Sequence, residues 1–66
     1  MRIEKIEDGW QYSKNNMTLK TYGDGFGDFE ILTSFGTILS FPVKNAGDVF
    51  HSMRMGQEIP EHCKNY

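Results

Sequence analysis

Apolar and polar residues alternate along the first two thirds of the chain, and the period changes near residue 45. Trp10 and Tyr12 alternate with Gln11 and Ser13, as a strand with one buried face requires. Arg2–Glu7 precedes this segment, and Asp8-Gly9 between the two is a strong hairpin signal. Lys14-Asn15-Asn16 reads as the next turn, because Asn tolerates the left-handed region and bonds its own backbone. Met17–Tyr22 is then a third strand, with Met17 and Leu19 on one face and Lys20 on the other. Between Tyr22 and Phe29 lie Gly23, Gly25 and Gly27, which predict a loop or a strongly bent strand pair. Phe29–Thr33 is a fourth strand, and Ser34-Phe35-Gly36 supplies the turn into a fifth, Thr37–Val43. Pro42 ends that strand or places it at a sheet edge.

After Lys44 the spacing becomes helical. Ala46, Val49, Phe50 and Met53 fall at i, i+3, i+4 and i+7, which predicts a helix over about residues 46–55. Asn45 is suited to cap it, Asp48 favours its first turn, and Gly56 suits the left-handed residue after its end. Residues 57–66 read as an extended tail that Ile59-Pro60 could pin to the body. The expected fold is a single α+β domain over residues 1–66. It is a small antiparallel β-meander of four to five strands, a curled sheet, with one C-terminal helix. The helix covers one face of the sheet or plugs the end of a small barrel.

Composition narrows the functions. Sixty-six residues make a thin core, and the nine aromatic residues supply most of its bulk. Seven Lys and Arg against nine Asp and Glu give a net charge of −2, with the cations scattered singly. A non-specific nucleic-acid binder needs clustered cations to neutralise phosphates, so nucleic acid is an unlikely partner. The lone Cys63 cannot form an intrachain disulfide, and the N-terminal residues lack the apolar core of a signal peptide. No apolar run approaches the ~20 residues needed to span a bilayer. A cytoplasmic protein with no membrane role is the expectation.

Four groups of residues carry candidate chemistry. Gly23 to Asp28 suggests a phosphate cradle, but its glycine spacing is wrong and Asp24 and Asp28 would repel phosphate, so a flexible hairpin loop is favoured. Asp24, Asp28 and Glu30 are too few for a calcium site and fit a solvated acidic loop or a basic partner surface better. His51, His62 and Cys63 are the only soft ligands and fall short of a four-ligand structural zinc site, so no metal and no cofactor is expected. A Cys63–His62 nucleophile fares no better, since neighbours in an extended tail point apart. An enzyme is therefore not expected.

The aromatic residues give the remaining readings. Trp10, Tyr12, Tyr22, Phe26 and Phe29 could stack single-stranded bases, with Lys14 and Lys20 as the only nearby cations. Phe26-Gly27-Asp28-Phe29 is similar to the aromatic run of RNA-binding sheets, with acid in place of base. Core or partner-interface rings are favoured over that platform. Phe26 and Phe35, each beside glycine at a predicted turn, are either exposed anchors for a partner or rings folded over the sheet end.

A protein-binding role follows as the first expectation, with Asp24, Phe26, Asp28, Glu30 and Phe35 as the contact residues and a host protein or complex as partner. A nucleic-acid or nucleotide binder using Trp10, Tyr12, Lys14 and Lys20 is the alternative. In size, mild acidity and sheet-plus-helix economy the chain resembles the small proteins of phages and mobile elements that block host enzymes, anti-CRISPR and anti-restriction proteins among them. That resemblance implies an inhibitor acting by surface complementarity. A homodimer would offset the thin core.

Overall fold

The computed structural model describes residues 1–66 and contains five strands, one α-helix and one 3₁₀ turn. The strands are β1 (Arg2–Ile6), β2 (Gly9–Lys14), β3 (Met17–Thr21), β4 (Gly27–Leu32) and β5 (Ile38–Val43). Helix α1 spans Ala46–Met55, and the 3₁₀ turn Glu61–Cys63 follows it. The strands form one antiparallel sheet in the order β1-β2-β3-β4-β5, an α+β meander as expected. The sheet stays open, so β1 and β5 are both edges and α1 covers a face rather than plugging a barrel.

Register explains the core. Tyr12 pairs with Leu19, Leu19 with Phe29 and Phe29 with Phe41, which places one row of apolar side chains across the sheet. Val49 and Met53 of α1 press onto this row, and Leu19, Phe29, Val43, Val49, Met53 and Cys63 form the buried cluster. Full burial of such a side chain is worth roughly 1.5–3 kcal/mol relative to exposure, so six of them are a large share of a small domain's stability. Phe50, on the predicted helix face, packs its ring 4.5 Å from that of Tyr12. The opposite face carries Gln11, Lys20 and Asp28 in one cross-strand row and Ser13, Thr18 and Glu30 in the next, and has no covering layer.

Several local details differ from the expectations. The first hairpin pairs Ile6 with Gly9, so its two turn residues are Glu7 and Asp8, and neither has positive φ. Gly9 is needed for another reason: a Cβ there would lie 1.8 Å from the Thr21 carbonyl oxygen. The two backbones meet too closely for any side chain. β4 begins at Gly27, two residues earlier than expected, where a Cβ would lie 2.0 Å from the Lys20 carbonyl oxygen.

Asn45 does not cap α1 with its side chain. It sits in the left-handed region at φ 52, and the Ala46 N–H instead donates to the Gly25 carbonyl at 2.9 Å. The glycine-rich loop thus folds over the start of the helix and satisfies one of its free donors. At the other end Gly56 adopts φ 70 and returns its N–H to Met53, as anticipated.

Residues 57–66 are not an extended tail. They turn at Glu61–Cys63 and pair with the end of β5 through an antiparallel bridge between Val43 and Lys64. The Lys44 N–H donates to the Cys63 carbonyl at 2.8 Å, and the Asn65 N–H to the Pro42 carbonyl at 2.9 Å. Cys63 lies in the core at 0% exposure. A free cysteine behaves as a small hydrophobe, and burying it anchors the segment. No helix is long and apolar enough to cross a membrane.

Candidate functional site

The five expected contact residues do not form one surface. Asp24 and Phe26 lie in the loop before β4, whereas Phe35 lies in the turn after it, at the opposite end of the strand. Asp28 and Glu30 sit between them on the uncovered polar face. Asp24 and Asp28 have local work: Asp24 Oδ1 accepts the Phe26 N–H at 2.9 Å, and Asp28 Oδ2 accepts the Tyr22 hydroxyl at 2.6 Å. Phe26 is about half exposed at 48%, and Phe35 is almost bare at 92%.

The four residues of the nucleic-acid alternative are also divided. Trp10, Tyr12 and Lys14 share the helix side of the sheet by strand alternation, and Lys20 is on the other side. Tyr12 is covered by Phe50, and the Lys14 ammonium donates to the Met53 and Arg54 carbonyls at 2.9 Å each. That cation caps the end of α1, where the helix dipole is negative. The Trp10 ring is half exposed, with the Lys5 ammonium 5.7 Å from its centroid.

A surface that the structure does assemble is the β4–β5 hairpin. Its turn is held by the Thr33 N–H donating to the Thr37 carbonyl at 2.8 Å and the Gly36 N–H to the Thr33 carbonyl at 3.0 Å. The two threonine hydroxyls meet at 2.7 Å, and Thr33 Oγ1 also accepts the Phe35 N–H at 3.3 Å. Gly36 takes φ 83, which favours glycine at that position. The result is an ordered turn that presents Phe35 to solvent, next to the exposed cross-strand pair Leu32 and Ile38 on one face of the hairpin and the exposed Leu39 on the other. The strand pattern gave Leu32, Ile38 and Leu39 as ordinary sheet residues. The exposure of Leu32 and Ile38 follows from alternation, which sets Leu32 with Glu30 on the face that has no covering layer, while Leu39 is exposed on the other face.

β5 adds a free backbone edge to that patch. The tail occupies only the backbone groups of Pro42 and Lys44. Alternate residues turn their backbone groups to the same side, so Ile38 and Ser40 point theirs outward past the tail. Pro42 has no N–H on that side and leaves no unmet donor. Next to the edge, an open groove of about 800 Å³ has Met17, Phe29, Ile31 and Phe41 along its apolar floor and the tail as one wall.

The tail also gathers Asp48, His62 and Cys63, whose ligand atoms all lie within 4.8 Å of one another. His51 does not join them, and Asp48 was absent from the ligand set that the sequence suggested. Burial, then the charge of Asp48, pushes the Cys63 thiol above its ordinary value, while Lys44 lowers it. Comparison with protein-family models, curated proteins and solved structures yields no match.

Proposed function

We propose that this chain is a small, non-enzymatic protein-binding module whose contact surface is the β4–β5 hairpin. The observation that carries the reading is Phe35, 92% exposed on a turn already fixed by its own hydrogen bonds. An aromatic ring held in place before binding loses little conformational freedom on association and suits the role of interface anchor. Leu32 and Ile38 add exposed apolar surface on one face of the hairpin and Leu39 on the other, and the outward groups of Ile38 and Ser40 offer main-chain hydrogen bonds to an added strand. The partner that fits is a protein with an apolar pocket for one ring and an extended segment beside it.

The finer form of the proposal is an inhibitor of a host defence or nucleic-acid enzyme. Small size and a net charge of −2 support it, since a mildly acidic surface is attracted to the basic surfaces of proteins that handle nucleic acid. The test is affinity capture from the native host with wild-type, Phe35→Ala and Phe26→Ala baits. A partner kept by wild type and Phe26→Ala but lost by Phe35→Ala supports the hairpin. Equal capture by all three baits removes it. Sedimentation of the purified protein identifies the case in which the partner is a second copy.

A further inference from the structure

We propose that Asp48, His62 and Cys63 form a binding site for a divalent metal ion of the zinc class. Three elements meet there. Asp48 lies in the first turn of α1, and His62 and Cys63 lie on the 3₁₀ turn that pairs with the end of β5. The chain fixes Cys63 from both sides. Its N–H donates to the Pro60 carbonyl at 3.0 Å, and its carbonyl accepts the Lys44 N–H at 2.8 Å. Asp48 and His62 are exposed above the buried thiol, and their Oδ2 and Nε2 atoms stand 3.8 Å apart. That distance is too long for a hydrogen bond, so the two side chains face each other without satisfying each other.

A metal ion bridges such a gap. Zinc takes Cys sulfur at about 2.3 Å and His nitrogen or carboxylate oxygen at about 2.0–2.2 Å. Ligand atoms gathered within 4.8 Å therefore need only small rotations of the two exposed side chains to close on one ion. One thiolate, one carboxylate and one neutral imidazole balance a dication. Sulfur with imidazole selects zinc-class ions over magnesium or calcium. On binding, the Cys63 thiol proton leaves to solvent as the sulfur–metal bond forms, and a water completes the fourth position. The ion joins the tail to the helix, a staple of the kind small domains use to supplement a thin core.

The test uses reduced, chelator-treated protein titrated with cobalt(II), followed by displacement with zinc. Wild type is expected to bind one cobalt with tetrahedral visible bands and a thiolate-to-cobalt charge-transfer band, and to melt at higher temperature with zinc. His62→Ala and Asp48→Asn, both at exposed positions, should keep the native circular dichroism. Each should weaken binding by more than the roughly 10-fold to 100-fold that loss of an outer-shell partner costs. His51→Ala should bind as wild type does. A wild-type spectrum without the thiolate band overturns the site, as does unchanged affinity in His62→Ala or Asp48→Asn.

Discussion

The Lys14 ammonium donates to the Met53 carbonyl at 2.9 Å across 39 residues of chain, and so ties β2 to the last turn of α1. It bonds the neighbouring Arg54 carbonyl at the same distance, so one side chain reaches two carbonyls of the helix end, of which Met53 also accepts the Gly56 N–H. Lys14→Met keeps the length and the apolar stem but removes both bonds. The expected loss is about 1–2 kcal/mol, from charge-assisted hydrogen bonds and the helix dipole together. Urea denaturation checks it, and an unchanged midpoint would show that the contact contributes nothing.

Two glycine substitutions should move stability in opposite directions. Gly47 lies within α1 at negative φ, and a Cβ there meets nothing within 4 Å. Gly47→Ala is expected to stabilise by about 0.5–1 kcal/mol. Gly9→Ala drives a Cβ into the Thr21 carbonyl and should cost about 2–3 kcal/mol or prevent folding. Thermal melts of the two variants decide the matter, and equal shifts would contradict the packing described for Gly9.

The Tyr22 phenol should titrate later than an ordinary tyrosine. Its hydrogen bond to Asp28 raises it above 10.0, and burial and the charge of Asp28 act in the same direction. The contribution of this bond to stability is fully present below pH 10.0. It is lost as pH rises through the higher value of the folded state. Ultraviolet titration of wild type and Asp28→Ala tests the assignment, with the delayed phenol expected to return to the ordinary range in the variant.

Cys63 should be protected from thiol reagents in the metal-free native protein. Its burial at 0% exposure means that a thiol reagent, far bulkier than a bare ion, reaches the sulfur only when the tail opens. Native labelling is expected to be about one to two orders of magnitude slower than labelling in denaturant, the factor set by an opening that costs about 1.4–2.8 kcal/mol. Equal rates in the two conditions would place the tail off the sheet.

Much of the fold was legible because the patterns that define it are local. The alternation at Trp10–Ser13, the helical spacing of Ala46, Val49, Phe50 and Met53, and Gly56 after the helix each depend on a few neighbouring residues. The misplaced features depend on contacts between distant segments. Gly9 followed a residue typical of tight turns, yet its role comes from Thr21 on the next strand. Asn45 had the right chemistry for a cap, but it takes the left-handed conformation and its backbone carbonyl, not its side chain, accepts the Asp48 N–H. The tail looked extended because its apolar residues Ile59, Cys63 and Tyr66 follow no strand or helix period, and only contacts with distant elements make a place for Cys63.

The candidate site was less legible for the same reason. Phe35 stood out as a ring beside glycine in a turn, and the structure exposes it. Asp24, Asp28, Tyr12 and Lys14 carried suggestive chemistry that the structure directs to bonds and packing within the chain. The approach of Asp48 to His62 and Cys63 spans the helix and the tail, and no spacing in the sequence signals it.

Because every sheet neighbour is also the next strand along the chain, each pairing closes only a short loop. Chain closure of that kind loses little entropy, and folding speed follows such topology. The sheet can therefore zip from one hairpin to the next, leaving the return of the last residues to β5 as a late docking event. Substitutions at Cys63 should then hasten unfolding while leaving the refolding rate close to wild type, which stopped-flow kinetics would resolve.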